Sequence, residues 1–171
     1  GSDYTSKEKQ IPGDNLFHLV TDASELEAGD ILVLGCTYTK DSSIKNFSAT
    51  AFGTNSFFNS EEATITGDTI SSTNMIEITL GGEEGAWTLT TSEGLVGSKK
   101  AKALTLGDNT STNVWSIDID KDGNAFISVG DYGKILYNVN NPRFLNYTSA
   151  PDASMVLPKI YKKNVGSMGK E

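Results

Sequence analysis

The residues with the most chemical promise sit together in one acidic turn. Asp118-Ile-Asp120-Lys-Asp122-Gly123-Asn124 places oxygen ligands at the first, third and fifth positions of a calcium-type loop, with Gly at the sixth. The twelfth position, however, is Val129, where such a loop needs a bidentate Glu. The flanks also alternate with the period of strands, whereas that loop joins helices. An Asp-Gly hairpin turn, with Gly supplying a positive φ, accounts for the same residues. We therefore assign no metal site and keep Asp118, Asp120 and Asp122 only as weak candidates.

Glu83 and Glu84 are the other adjacent acids. Glycoside hydrolysis uses two carboxylates held several ångströms apart across a cleft. Neighbours in Gly81-Gly82-Glu83-Glu84-Gly85 read instead as a solvated turn. That segment precedes a strand, so it offers no helix N-terminus to a phosphate. No nucleophile elbow, phosphate loop or dinucleotide fingerprint occurs. The lone Cys36 ends the apolar run Ile31-Leu-Val-Leu-Gly-Cys36 and reads as a small buried hydrophobe. The lone His18, between Phe17 and Leu19, reads as a satisfied or partly exposed strand residue. One His and one Cys exclude His clusters and zinc sites built from them. The expectation is a noncatalytic protein without a cofactor, with a carboxylate-dependent hydrolase as second alternative.

Aromatic residues give a different chemistry, the stacking of sugar rings. Trp87 and Trp115 fall on the apolar phase of their strands and are expected in the core. Tyr132, Tyr137, Tyr147 and Arg143 are better candidates for an exposed face, because Asn138, Asn140, Asn141 and Asn146 surround them. Tyrosyl and amide groups around a platform suit a carbohydrate. The candidate ligand-binding set is Tyr132, Tyr137, Asn138, Asn141, Arg143 and Tyr147.

The elements that must position these residues are strands. The stretch from Met75 to Tyr147 reads as one pattern written twice, at an offset of about 40 residues that falls in the range of structural repeats. Met75 to Leu80, Ala86 to Leu89, Leu95-Val96 and Ala103 to Leu106 make the first copy; Val114 to Ile119, Ala125 to Ile127, Ile135 to Tyr137 and Phe144 to Tyr147 make the second. Ahead of it, Ile31 to Cys36 is a strand without alternation, so both of its faces should be covered. Thr21-Asp-Ala-Ser24-Glu-Leu-Glu-Ala-Gly29 carries the signals of a helix of one or two turns. Of Phe57 and Phe58, the favoured reading is a buried plug. Pro158 makes the last strand an edge or a bent one.

At 171 residues, 37% hydrophobic and with 17 Gly, the chain fits one all-β domain. We expect a tether over residues 1–14, one domain over 15–163 and a frayed tail over 164–171. The domain should be closed and barrel-like, with the repeat favouring a β-trefoil and a two-sheet β-sandwich as the alternative. A net charge of -8 without a basic cluster argues against nucleic acid and anionic membranes as partners. No apolar run is long enough for a transmembrane segment. The polar opening from Gly1 to Gln10 reads as a tether left after a targeting peptide was removed.

Two segments resemble a known module. The entry Leu19 to Val33, and the exit formed by Ile135 to Asn138, Arg143 to Tyr147 and Lys159 to Lys163, are similar to a β-rich module of secreted and lipoprotein-type surface proteins of Bacteroidetes. The resemblance implies export to the periplasm, the outer membrane or the exterior, a lipid anchor upstream, and a noncatalytic accessory or binding role. Carbohydrate or another surface protein would be the partner. A structural or adhesion component of a surface assembly is the first alternative. No functional residue is carried over, and residues 37–74 depart from the likeness.

Overall fold

The computed structural model describes residues 8–170, with side chains from 10 to 167. The chain is all-β. After β1 (Glu8–Ile11) and β2 (Phe17–Leu19), one 3₁₀ turn, Ala23–Glu25, is the only helical element among the described residues. It carries a full capping box: the Asp22 carboxylate accepts from Ser24 N–H and the Glu25 carboxylate from Asp22 N–H. The helix signal is thus real, and it is spent in a single turn.

The long hairpin β3 (Ile31–Lys40) and β4 (Ser43–Thr50) follows, then β5 (Asn59–Glu62), β6 (Thr64–Thr66) and β7 (Thr69–Ser71). The doubled stretch forms two four-stranded antiparallel meanders. The first is β8 (Ile78–Glu83), β9 (Ala86–Thr91), β10 (Gly94–Lys100) and β11 (Ala103–Leu106). The second is β12 (Trp115–Ile119), β13 (Ala125–Val129), β14 (Lys134–Asn138) and β15 (Arg143–Tyr147). They join where β9 and β12 pair at Trp87 and Trp115. Short β16 (Met155–Val156), β17 (Lys159–Lys163) and β18 (Ser167–Lys170) complete the chain.

Strand pairing follows one antiparallel path, β15-β14-β13-β12-β9-β8-β3-β17-β2-β7-β6, with β4, β5, β10, β11 and β16 attached beside it. This large sheet is not closed into a barrel, which corrects the expectation of a closed one. The return contact between the β5 side and β15 is a single bridge, Phe58 to Phe144, with hydrogen bonds of 3.1 and 3.0 Å. Residues 53–57 turn and bend ahead of it, so no ladder extends from Phe58 towards that side.

Burial follows the strand phases. Leu32, Leu34 and Cys36 point into the main core with Trp87, Trp115, Phe52, Phe58, Tyr137 and Phe144. Val33, on the opposite face of β3, packs with Ile70 and Tyr161 in a second cluster. Strand β3 is therefore covered on both sides, as its unbroken apolar run requires. Phe58 is the buried plug, fully inaccessible, and Phe57 lies half-buried beside it. The last long strand departs from expectation: β17 runs between β3 and β2, not at an edge. Pro158 lies just outside it, where its missing N–H costs no ladder bond and its carbonyl accepts from Ala125 N–H at 2.8 Å.

The ends also depart from expectation. Residues 1–7 of the expected tether and Glu171 lie outside the described residues. Residues 8–11 pair antiparallel with 167–170, from Glu8 opposite Lys170 to Ile11 opposite Ser167. Backbone groups on both segments find partners in each other, so neither is a free tail over this range.

Candidate binding groove

The acidic turn is a hairpin turn. Asp120 Oδ1 accepts from the N–H groups of Asp122 and Asn124, each at 2.9 Å, and Oδ2 accepts from Asn124 Nδ2 at 3.0 Å. These bonds, that from the Asn124 side chain foremost, hold the Asp120 carboxyl below its ordinary value. Gly123 has φ 86°, and a Cβ there would come within 2.8 Å of Leu19 Cδ1. Asp118 and Asp122 are exposed, and no group of three His, Cys, Asp or Glu able to hold a metal occurs among the described residues. Glu83 and Glu84 are likewise exposed at the β8–β9 turn.

The six predicted binding residues divide. Asn138 folds its own turn, Oδ1 accepting from Asn140 and Asn141 N–H at 3.1 and 3.0 Å, while Nδ2 donates to the Tyr147 hydroxyl at 3.1 Å. Arg143 Nε donates to the Asn141 carbonyl at 3.0 Å, and its guanidinium lies 4.0 Å from the Phe57 ring centroid. Asn138, Asn141, Arg143 and Tyr147 are thus together, tied to one another. Tyr132 sits at the β13–β14 turn, the opposite end of β14 from Asn138, and donates nothing to that group.

Exposure of the tyrosines is corrected for two of them: Tyr137 is 0% and Tyr147 4% exposed. Both β14 and β15 are covered on both faces, so the polar turn beside them does not report on their side chains. The Tyr137 hydroxyl is satisfied by Ser60 Oγ at 3.2 Å, and burial pushes its pKa up to about 12.

What Tyr137 does is support another ring. Tyr38, near the end of β3, stacks on Phe47 at 6.0 Å and 9° and on Tyr137 at 6.0 Å and 28°. It continues the core-facing phase of Leu32, Leu34 and Cys36 to where the strand leaves the core, which places a half-buried ring at the rim. A groove of about 460 Å³ opens there. Tyr38 and Lys40 form one wall, Val139 and Asn140 of the β14–β15 turn another, and Asp152 to Ser154 the third. Asp152 Oδ1 accepts from Ser154 N–H and Met155 N–H, both at 2.9 Å, which fixes that loop. The groove thus joins a braced aromatic ring with an ammonium, an amide and a carboxylate.

These residues define an all-β protein with an aromatic-walled polar groove at the rim of its core. The chain matches no protein-family model, and no curated protein and no solved structure is significantly similar to it.

Proposed function

We propose that this chain is a noncatalytic binding module of the cell surface that takes a carbohydrate in the groove beside Tyr38. One observation carries the reading: the Tyr38 ring is held in place from below by Phe47 and Tyr137 and borders a groove with Lys40, Asn140 and Asp152. A prearranged aromatic face provides area for a sugar ring at small entropic cost, and the polar groups supply hydrogen bonds for its hydroxyls. The noncatalytic part rests on Glu83 and Glu84 sharing an exposed turn instead of facing each other, and on Cys36 being buried. Export and an upstream lipid anchor form part of the proposal and rest on the resemblance to Bacteroidetes surface modules.

The test is a glycan array read with the wild type and Tyr38→Ala. Binding to a defined glycan class that drops at least about fivefold in the variant supports the proposal, since losing one stacked ring is worth about 1 kcal/mol or more. An array on which wild type and variant score alike defeats it.

A further inference from the structure

A second cleft, about 450 Å³, lies at the other end of β3 and is bordered by His18. Both ring nitrogens of His18 face carboxylates: Nε2 is 2.7 Å from Asp14 Oδ2 and Nδ1 is 3.1 Å from Asp68 Oδ2. A neutral imidazole has one N–H and one acceptor nitrogen, and a carboxylate only accepts. Two such contacts are therefore satisfied together only by the imidazolium. The three residues come from three places: the loop before β2, β2 itself and the turn between β6 and β7.

That turn is the tip of a hairpin with a defined task. Strand β7 pairs with β2 at Phe17–Ile70 and His18–Thr69, and β6 pairs with β7. Ile70 lies over Val33 and Tyr161 in the second hydrophobic cluster. Gly35 permits this close approach, since a Cβ there would stand 2.7 Å from Ile70 Cδ1 and 2.9 Å from Tyr161 Cε2. The far end of the hairpin is held by Glu61, which accepts from Ser72 Oγ and from the Asn74 backbone and side chain. The tip is held by Asp68, through its carbonyl to Leu19 N–H at 2.7 Å and through its carboxylate to His18.

We propose that His18, Asp14 and Asp68 form a protonation-dependent clasp that holds the tip of the β6–β7 hairpin over Val33, Ile70 and Tyr161. When the imidazole gives up a proton, one of its two carboxylate contacts loses its donor; in the tautomer that releases Asp68, the tip keeps only the Leu19 bond and the short β2–β7 pairing. The other charged groups near His18 are already engaged or belong to the cleft wall. Lys162, opposite His18 across β2 and β17, donates to the Glu25 carbonyl at 2.7 Å and pairs with Asp30 at 3.3 Å. Glu25, Glu27 and Lys163 line the cleft without bonding to the ring. The ring is 31% exposed, so solvent protons reach it without unfolding.

The sign is fixed by the direction of the shift. Hydrogen bonds donated to Asp68 and then to Asp14 raise the folded His18 above its ordinary value of 6.5. The clasp's contribution is fully present below that value and is lost as pH rises through the higher folded one. The experiment is NMR of the full chain between about pH 5.5 and 9, where the only His gives an unambiguous titration. Amide exchange, corrected for intrinsic rates, is followed at Leu19 and along β2–β7. We expect a His18 midpoint above 6.5 and a loss of protection in β2–β7 across the same midpoint. His18→Gln should remove the pH dependence, and Asp68→Asn should reduce it and lower the midpoint. A midpoint at or below 6.5, or the same exchange profile in wild type and His18→Gln, overturns the clasp.

Discussion

Trp87 and Trp115 stand directly opposite each other where β9 meets β12, and this pair carries the sheet from the first meander into the second. Both indoles are buried, at 5% and 0% exposure, and Trp115 Nε1 donates to the Val96 carbonyl at 2.9 Å. Trp115 thereby touches two strands of the first meander, β9 by pairing and β10 by its hydrogen bond, and its own neighbour β13 through Val129. Trp115→Ala should lower stability by about 3–5 kcal/mol, the cost of emptying an aromatic core site. Trp115→Phe keeps the ring but orphans the Val96 carbonyl and should cost about 1–3 kcal/mol. Urea unfolding followed by circular dichroism distinguishes the two.

Asn146 is the polar counterpart of that plug. Fully buried in β15, its Nδ2 reaches Ser98 Oγ, the Lys100 carbonyl and the Tyr132 carbonyl at 3.0, 3.0 and 2.8 Å, and its Oδ1 accepts from Ala103 N–H at 3.1 Å. It thus ties the β10–β11 turn to the β13–β14 turn. Asn146→Asp replaces the donor with an acceptor that faces carbonyls, while Asn146→Leu removes both functions. Each should cost at least about 3 kcal/mol, because several buried groups lose partners together. A thermal melt in which either variant matches the wild type would contradict this.

The Asp-Gly turn makes a conformational prediction. Gly123→Ala must adopt a left-handed φ and crowd Leu19, so we expect a loss of about 1–3 kcal/mol. Calcium titration of the wild type should leave its unfolding midpoint unmoved, because the Asp120 carboxylate already bonds within the turn.

Acid stability follows from the turn carboxylates. Asp22, Asp120 and Asp152 are each held below their ordinary value of 3.8, chiefly by the N–H groups of Ser24, the Asn124 side chain and the Ser154 N–H respectively. Depressed folded values mean that their stabilisation is complete above about 3.8 and is lost as pH falls through the lower folded ones. Unfolding midpoints should therefore fall between pH 5 and pH 2, and Asp152→Asn should flatten part of that fall.

Cys36 offers a check on packing. It is fully buried, and desolvation pushes its thiol up to about 12, so almost no thiolate exists at pH 8. A thiol reagent at pH 8 should label it only in denaturant. Labelling of the native protein at the rate of a free cysteine would show that the β3 face opens.

The readable parts of the sequence were those where local physics acts alone. Alternation survives in β12 and β13, where one face is less covered, so Trp115 and Ile127 fall on the core side as their phase demands. Asp120 to Asn124 fold on themselves, and their turn is visible in five residues. Ile31 to Cys36 is apolar without a break because β3 has cover on both sides. Tyr137 and Tyr147 lie in strands of the same kind, but Asn-rich flanks suggested an open surface. Composition next door reports on the turn, not on the buried strand. The His18–Asp68 contact spans 50 positions, and no local pattern announces it. Tyr38 was within reach of sequence reasoning, since it continues the phase of Leu34 and Cys36 into a polar segment.

The ribbon formed by β1 and β18 has a consequence for how this chain is mounted. With Glu8 beside Lys170, the two ends of the described fold leave from neighbouring points. A short peptide joining them would span little more than the strand separation of about 5 Å. New ends cut at Asp41 and Ser42, the exposed tip of the β3–β4 hairpin, would then interrupt no ladder. The fold is in this sense a loop of chain held at its neck, and a permuted version should retain it.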